Sequence, residues 1–302
     1  MNRIGTSVHS RSFASNKPLV LCCALMLLGG CGSKDREPPD HPRISSKVIL
    51  RDVAFRSAAL GREMRYRALL PAIIAPDRKL PAVYLLHGSG GNFRDWSNYS
   101  DVSRFGEANL ILVMPQGDDS WYVNAAERPR NRYEDYIVQD LISDAQSRFP
   151  IARDRPNRAI AGISMGGYGA IKLALSHPDL FVFAGALSGA FDAPGRPFSI
   201  RRIRQSRAYT LIFGPWGSDA RRRADPFVLA RSADAANVPY LFLSCGNAEG
   251  LLPVNREFAD VLTERNLQYE FQAVPGGHDW TQWSSEVPAL FESLLQHLAI
   301  GK

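Results

Sequence analysis

Cysteine is scarce: four in 302 residues, with no C-x-x-C pair and no Cys/His cluster. That excludes a disulfide scaffold and gives no zinc site, so no metal is expected. No run reaches the 18 or so consecutive apolar residues of a spanning helix. Neither G-x-G-x-x-G nor a glycine loop closed by Gly-Lys-Ser/Thr occurs, so no phosphate-cradling cofactor is expected. Acidic residues are in deficit, 30 against 36 basic, for a net charge of +6. Such an excess suggests an anionic partner such as nucleic acid or a membrane, so its location along the chain matters. What is present is ordinary globular composition, 45% hydrophobic and 22% charged, enough for one large domain.

Residues 1–18 carry Arg3, Arg11 and Lys17 and no acid, then run into the short apolar stretch Leu19 to Gly30. This is the layout of a secretory signal. The stretch ends Leu28-Gly29-Gly30-Cys31 and resembles the bacterial lipobox, whose cysteine is lipidated and becomes the new N-terminus. A buried hydrophobic helix with an accidental cysteine is the alternative. The expected organisation is a leader at 1–30, a lipidated tether at 31–46 and one domain at 47–302. The tether is polar and proline-rich (SKDREPPDHPR) and cannot bury a face. The implied location is the bacterial envelope, membrane-held through Cys31, with Gly32 after the cysteine favouring an outer membrane. Cys245 then remains as the free thiol.

From Lys47 onward, short apolar runs alternate with helical stretches. Lys47 to Ser57 and Arg62 to Leu70 predict an antiparallel hairpin. Ala82 to Leu86, Leu110 to Met114, Arg158 to Ile163, Val182 to Leu187, Tyr240 to Ser244 and Tyr269 to Val274 predict strands of a mainly parallel sheet buried on both faces. Helices are expected over 136–149, 167–176, 227–236, 253–266 and 288–298, giving one α/β domain. Residues 192–225 read as an irregular basic insertion or lid.

Gly162-Ile163-Ser164-Met165-Gly166 places G-x-S-x-G where a buried strand meets a helix. A sharp turn there lifts a serine hydroxyl clear of the chain, and flanking side chains would collide, hence the glycines. A serine needs a base and an orienting acid. His278, in Pro-Gly-Gly-His-Asp-Trp after the last strand, lies at the sheet's carboxyl edge, where catalytic groups gather. His41, His177 and His297 read as solvated or capping residues. For the acid, Glu249 follows the strand Tyr240 to Ser244, with Asp225 second and Asp219 a further alternative. The amide of Met165 and that of Ser89, in the glycine-rich loop His87 to Gly91, are the oxyanion candidates.

These motifs resemble the esterase D / antigen 85-type putative esterase family. The resemblance runs from about Val48 to the C-terminus on LLHGSGGN, MPQGDDSWY, YEDYIVQDLI, AGISMGGYGA with HPDLF, and CGNAEGLLPVN with PGGHDW. It implies an α/β-hydrolase fold, with Ser164 as nucleophile, His278 as base, and Ser89 and Met165 as oxyanion donors. One departure stands out: the family commonly has Asp in Cys-Gly-x-x-Asp, where this chain has Glu249.

Trp121, Tyr122 and Trp280 are expected to line an acyl or sugar pocket, with Tyr168 and Trp283 nearby. The leading reading is a serine carboxylesterase acting through an acyl-enzyme on a small-molecule or carbohydrate ester. Acyl transfer to an alcohol and a non-catalytic envelope lipoprotein are the alternatives. Loss of the leader would halve the positive excess, and Arg196 to Arg223 alone contributes eight arginines against Asp219. The rest of the mature chain is then mildly acidic, and a nucleic-acid partner is not expected.

Overall fold

The computed structural model describes residues 39–197 and 199–299; the expected leader and Cys31 lie outside the described residues. Eight strands form one sheet in the order β1-β2-β4-β3-β5-β6-β7-β8. β1 (Val48–Ser57) and β2 (Arg62–Pro71) make the anticipated hairpin, and β2 pairs antiparallel with β4 (Ile111–Pro115). β3 (Ala82–Leu86), β4, β5 (Arg158–Ile163), β6 (Phe183–Leu187), β7 (Tyr240–Gly246) and β8 (Tyr269–Val274) run parallel. The central runs are continuously apolar because both faces are covered. Tyr84 and Leu86 point into one core, and Val83 and Leu85 into the other, with the period of two that a strand imposes.

One core is closed by α1 (Asp95–Tyr99), α2 (Ser103–Gly106) and, largely through Leu290, Phe291 and Leu294, the C-terminal helix Trp280–His297. The other is closed by a continuous helical segment and four further helices. The segment is α3 (Tyr133–Asp135), a π-helical stretch Tyr136–Leu141 and α4 (Ile142–Arg148). The others are α5 (Met165–Ser176), α6 (Ile203–Phe213) through Tyr209 and Phe213, and, after α7 (Asp219–Arg223), α8 (Pro226–Ser232) and α9 (Leu252–Glu264). The C-terminal helix, α10, starts at Trp280 rather than near Pro288. Pro288 suits a first helical turn, but here it sits inside the helix, where it forgoes one backbone hydrogen bond. Asp279 caps the true start, accepting from the amides of Thr281 and Gln282.

Two other expectations are corrected. The 192–225 segment is mostly helical, not irregular: Tyr209 and Phe213, one turn apart on α6, pack edge-on against Trp121. Exposed arginines flanking these two positions, Arg204 and Arg207 on α6 itself, hide so narrow a stripe from a sequence reading. The expected tether is docked from Asp40 onward. The wholly buried Arg67 donates from Nη2 to Asp40 at 2.6 Å and from Nε to Asp52 at 2.7 Å. The Arg43 amide donates to the Ser97 carbonyl at 2.7 Å. Residues 40–45 therefore belong to the body.

Candidate active site

Ser164 separates β5 from α5 with φ 54° and ψ −114°, a conformation that a non-glycine residue holds only when its surroundings impose it. They do so by close packing. A Cβ at Gly162 would lie 2.3 Å from the backbone of Gly166, and one at Gly166 would lie 2.4 Å from the Leu86 carbonyl and 2.6 Å from that of His87. The Ser164 amide donates to the Leu187 carbonyl at 2.9 Å, which stitches the turn to the end of β6.

His278 reaches this serine from the loop after β8. Its Nε2 is 2.9 Å from Ser164 Oγ and its Nδ1 is 2.5 Å from Glu249 Oε2. With Glu249 ionised, Nδ1 carries the proton and donates to the carboxylate, leaving Nε2 to accept from the serine hydroxyl. Glu249 is buried just after β7, and its other oxygen, Oε1, is fully engaged. It accepts from Ser188 Oγ and from the Gly246 amide, both at 2.6 Å. Burial alone would raise this carboxyl. The hydrogen bonds from His278, Ser188, Gly246 and Cys245 outweigh it and hold the group below its ordinary value.

The two other acid candidates lie elsewhere. Asp225 caps α8 by accepting from the Phe227 amide at 2.9 Å, and burial pushes its carboxyl up. Asp219 pairs with Arg222. The sequence reading missed Ser188 and placed Trp283 near a substrate pocket, not in the hydrogen-bond network behind His278 and Glu249. Trp283 Nε1 donates to Ser188 Oγ at 3.0 Å, while its ring meets His278 edge-on at 4.9 Å, so it steadies His278 and, through Ser188, Glu249. The one signal available was position: Ser188 directly follows β6 at the carboxyl edge.

The loop after β3 is braced from below. His87 Nε2 accepts from the Gly117 amide at 2.8 Å, so its Nδ1 carries the proton and donates to the Gly88 carbonyl at 2.7 Å. Burial lowers its affinity for a second proton, which keeps this histidine a neutral brace. Asp119 Oδ1 accepts from Ser89 Oγ at 2.7 Å and from the Gly90 amide at 2.8 Å. The Ser89 amide makes no hydrogen bond among the described residues. Met165, as the first residue of α5, has an amide without an intrahelical acceptor. Beneath the loop, Asp95 accepts, among the described residues, only the Asn92 amide, at 3.1 Å, and burial raises its carboxyl to about 6.

The aromatic candidates divide. Tyr122 is wholly buried and its hydroxyl donates to the His87 carbonyl at 3.0 Å, so it supports the loop and offers no surface to a substrate. Trp121 is buried between Tyr168, Tyr209 and Phe213 and belongs to the core under α6. Trp280 is half-buried, with edge-on contacts to Trp96 and Trp283. Among the described residues no group of three His, Cys, Asp or Glu side chains could hold a metal ion.

Comparison with known proteins follows the same lines. The family model described as "Putative esterase" matches residues 57–294. An acetyl esterase from Caldicellulosiruptor saccharolyticus is 28% identical over 81% of this chain and 97% of its own length. The Ag85A diacylglycerol acyltransferase/mycolyltransferase of Mycobacterium leprae is 27% identical over 90% of this chain and 89% of its own. Among solved structures, the Staphylococcus aureus fluorophosphonate-binding serine hydrolase F superposes with a TM-score of 0.71 at 28% identity, covering 81% of this chain and 98% of that one. The shared fold is that of the α/β-hydrolases.

Proposed function

The chain belongs to the putative esterase family and is a serine hydrolase of carboxylic esters; we propose that Ser164, His278 and Glu249 are its nucleophile, base and acid. One observation carries the assignment: the unbroken hydrogen-bonded chain from Ser164 Oγ through the imidazole to Glu249, starting from a strained strand-to-helix turn. As Ser164 Oγ attacks the ester carbonyl, its proton passes to His278 Nε2. Glu249 stabilises the imidazolium so formed. The amides of Met165 and Ser89 receive the developing oxyanion, each worth about 3–4 kcal/mol in the barrier. The imidazolium then protonates the leaving alcohol, and a water activated by the same ring releases the acid from the acyl-enzyme.

Fluorophosphonate labelling tests this. The wild-type chain should label stoichiometrically and Ser164→Ala not at all; unchanged labelling of the variant refutes the assignment.

The substrates we propose are acetyl and other small acyl groups on carbohydrates or short-chain esters, as the acetyl esterase relative suggests. The mycolyltransferase relative supports a second outcome, in which an alcohol replaces water at deacylation. Product analysis with and without a sugar acceptor separates the two. We further propose that Cys31 is lipidated after cleavage at Gly30 and holds the domain at a bacterial membrane, the outer one in a two-membrane cell. The support is the basic segment, short apolar run and small residues that precede the cysteine. Palmitate incorporation abolished by Cys31→Ser would bear this out; a soluble, unmodified wild-type chain would refute it.

A further inference from the structure

Two side chains of the arginine-rich segment are placed where folding alone gives them little. Trp216 is 66% exposed, although an indole gains much by leaving water. Arg221 is buried yet faces no carboxylate among the described residues. Its Nε donates to the Gly214 carbonyl at 3.0 Å and its Nη1 to the Pro194 carbonyl at 2.8 Å, while Nη2 has no acceptor among the described residues. Burial lowers its proton affinity and no acid offsets the effect. The two meet, with the guanidinium carbon 5.5 Å from the indole ring centre, at the wall of a cavity of about 590 Å³. Such a volume suits a small organic ligand.

The rest of the wall repeats this chemistry. Tyr209, Gln205, Arg196 and Arg202 line it, and no Asp or Glu is among the lining residues. Arg196 is already neutralised, donating to both oxygens of Asp192 at 2.8 Å and to the Tyr209 hydroxyl at 3.0 Å. Arg202 is exposed and has no acidic partner among the described residues. An aromatic surface thus adjoins two unmatched guanidinium charges. A neutral sugar would leave those charges unmet, and a cation would be repelled.

We propose that this cavity is a second binding site, for a ligand with a carboxylate, phosphate or sulfate on a flat apolar body. The body lies on Trp216 and Tyr209, and the anion meets Arg202 and the free Nη2 of Arg221. This assignment does not depend on the role of Ser164.

Calorimetric titration of the full chain with 2-naphthalenesulfonate, and in parallel with uncharged 2-naphthol, tests it. The sulfonate should bind saturably at one site, and 2-naphthol about ten-fold more weakly or less. Trp216→Ala and Arg202→Gln, both at exposed positions, should each weaken sulfonate binding about ten-fold without lowering Tm. Binding should persist in enzyme blocked with fluorophosphonate. Absence of saturable binding, equal affinity for the two probes, indifference to both substitutions, or loss on blocking would each overturn the proposal; the last would place the probe at Ser164.

Discussion

Two histidine–glutamate pairs occur among the described residues, and they do opposite things. Glu249 Oε2 lies 2.5 Å from His278 Nδ1, and Glu134 Oε1 lies 2.8 Å from His177 Nε2. The difference is the carboxylate's other oxygen. In Glu134 it accepts from the buried ammonium of Lys172, and in Glu249 from the neutral hydroxyl of Ser188 and a backbone amide. Burial would raise Glu134, but His177 and Lys172 together hold it down at about 2. Its charge is balanced whatever His177 does, so the pair acts as a fastener between α3 and the end of α5. Glu249 has no permanent cation beside it. In the proposed mechanism its counterion arises only when His278 takes the serine's proton, which is the moment at which stabilisation lowers a barrier. A histidine beside a carboxylate is therefore not a catalytic signature until its third partner is known.

The sharpest way to break this comparison is to remove the imidazoles. His278→Ala should lower kcat by about 10⁴ or more, whereas His177→Ala should leave kcat within about two-fold, both read in an ester assay. Removing the carboxylate charges comes next. Glu249→Gln should cost about 10⁴ in kcat with little change in Tm. Glu134→Gln should strand the Lys172 ammonium and cost about 3–5 kcal/mol of stability while the folded enzyme turns over normally. A catalytic defect in folded Glu134→Gln would erase the distinction.

Acid titration sharpens it further. Glu134 has a depressed value in the folded state, so its contribution is complete above its ordinary value near 4.5 and is lost as pH falls toward about 2. Thermal melts between pH 5 and 2 should show a fall that Glu134→Gln flattens. Asp95 supplies the contrary case, with one amide donor and no cation among the described residues. Its value is raised, so its own contribution is most favourable below about pH 4 and declines as pH rises toward about 6, where the folded group ionises. Asp95→Asn should then gain about 1–2 kcal/mol at pH 8, measured as an upward shift in Tm.

Ser164, His278 and Glu249 were all legible because each sits at a strand end marked by glycine, where spacing along the chain reports position in space. The same logic located all eight strands. Ser188 also follows a strand and precedes Gly189, but nothing local ties it to an acid, and Trp283 lies in the first turn of a helix. Their partners are 61 and 95 residues away in sequence, a proximity only the folded sheet creates. Tyr122 was misplaced for a related reason. Motif neighbours converge at the carboxyl edge, but which side of a loop faces inward depends on its φ values, and Trp121 and Tyr122 both have positive φ. The early start of α10 was hidden by Pro288, and α6 by the arginines around its narrow buried stripe.

The contact of Gly166 with the carbonyls of Leu86 and His87 also constrains how this enzyme can diverge. Any side chain there would push the His87–Gly91 loop, the proposed oxyanion loop, away from the Ser164 turn, so the two can change only together, by coordinated substitutions that selection rarely finds at once. Variation that alters what the enzyme accepts is thereby channelled away from the reacting centre. The 192–225 segment, with exposed positions that touch neither Ser164 nor His278, is where descendants of this chain are free to acquire new substrates without losing the old chemistry.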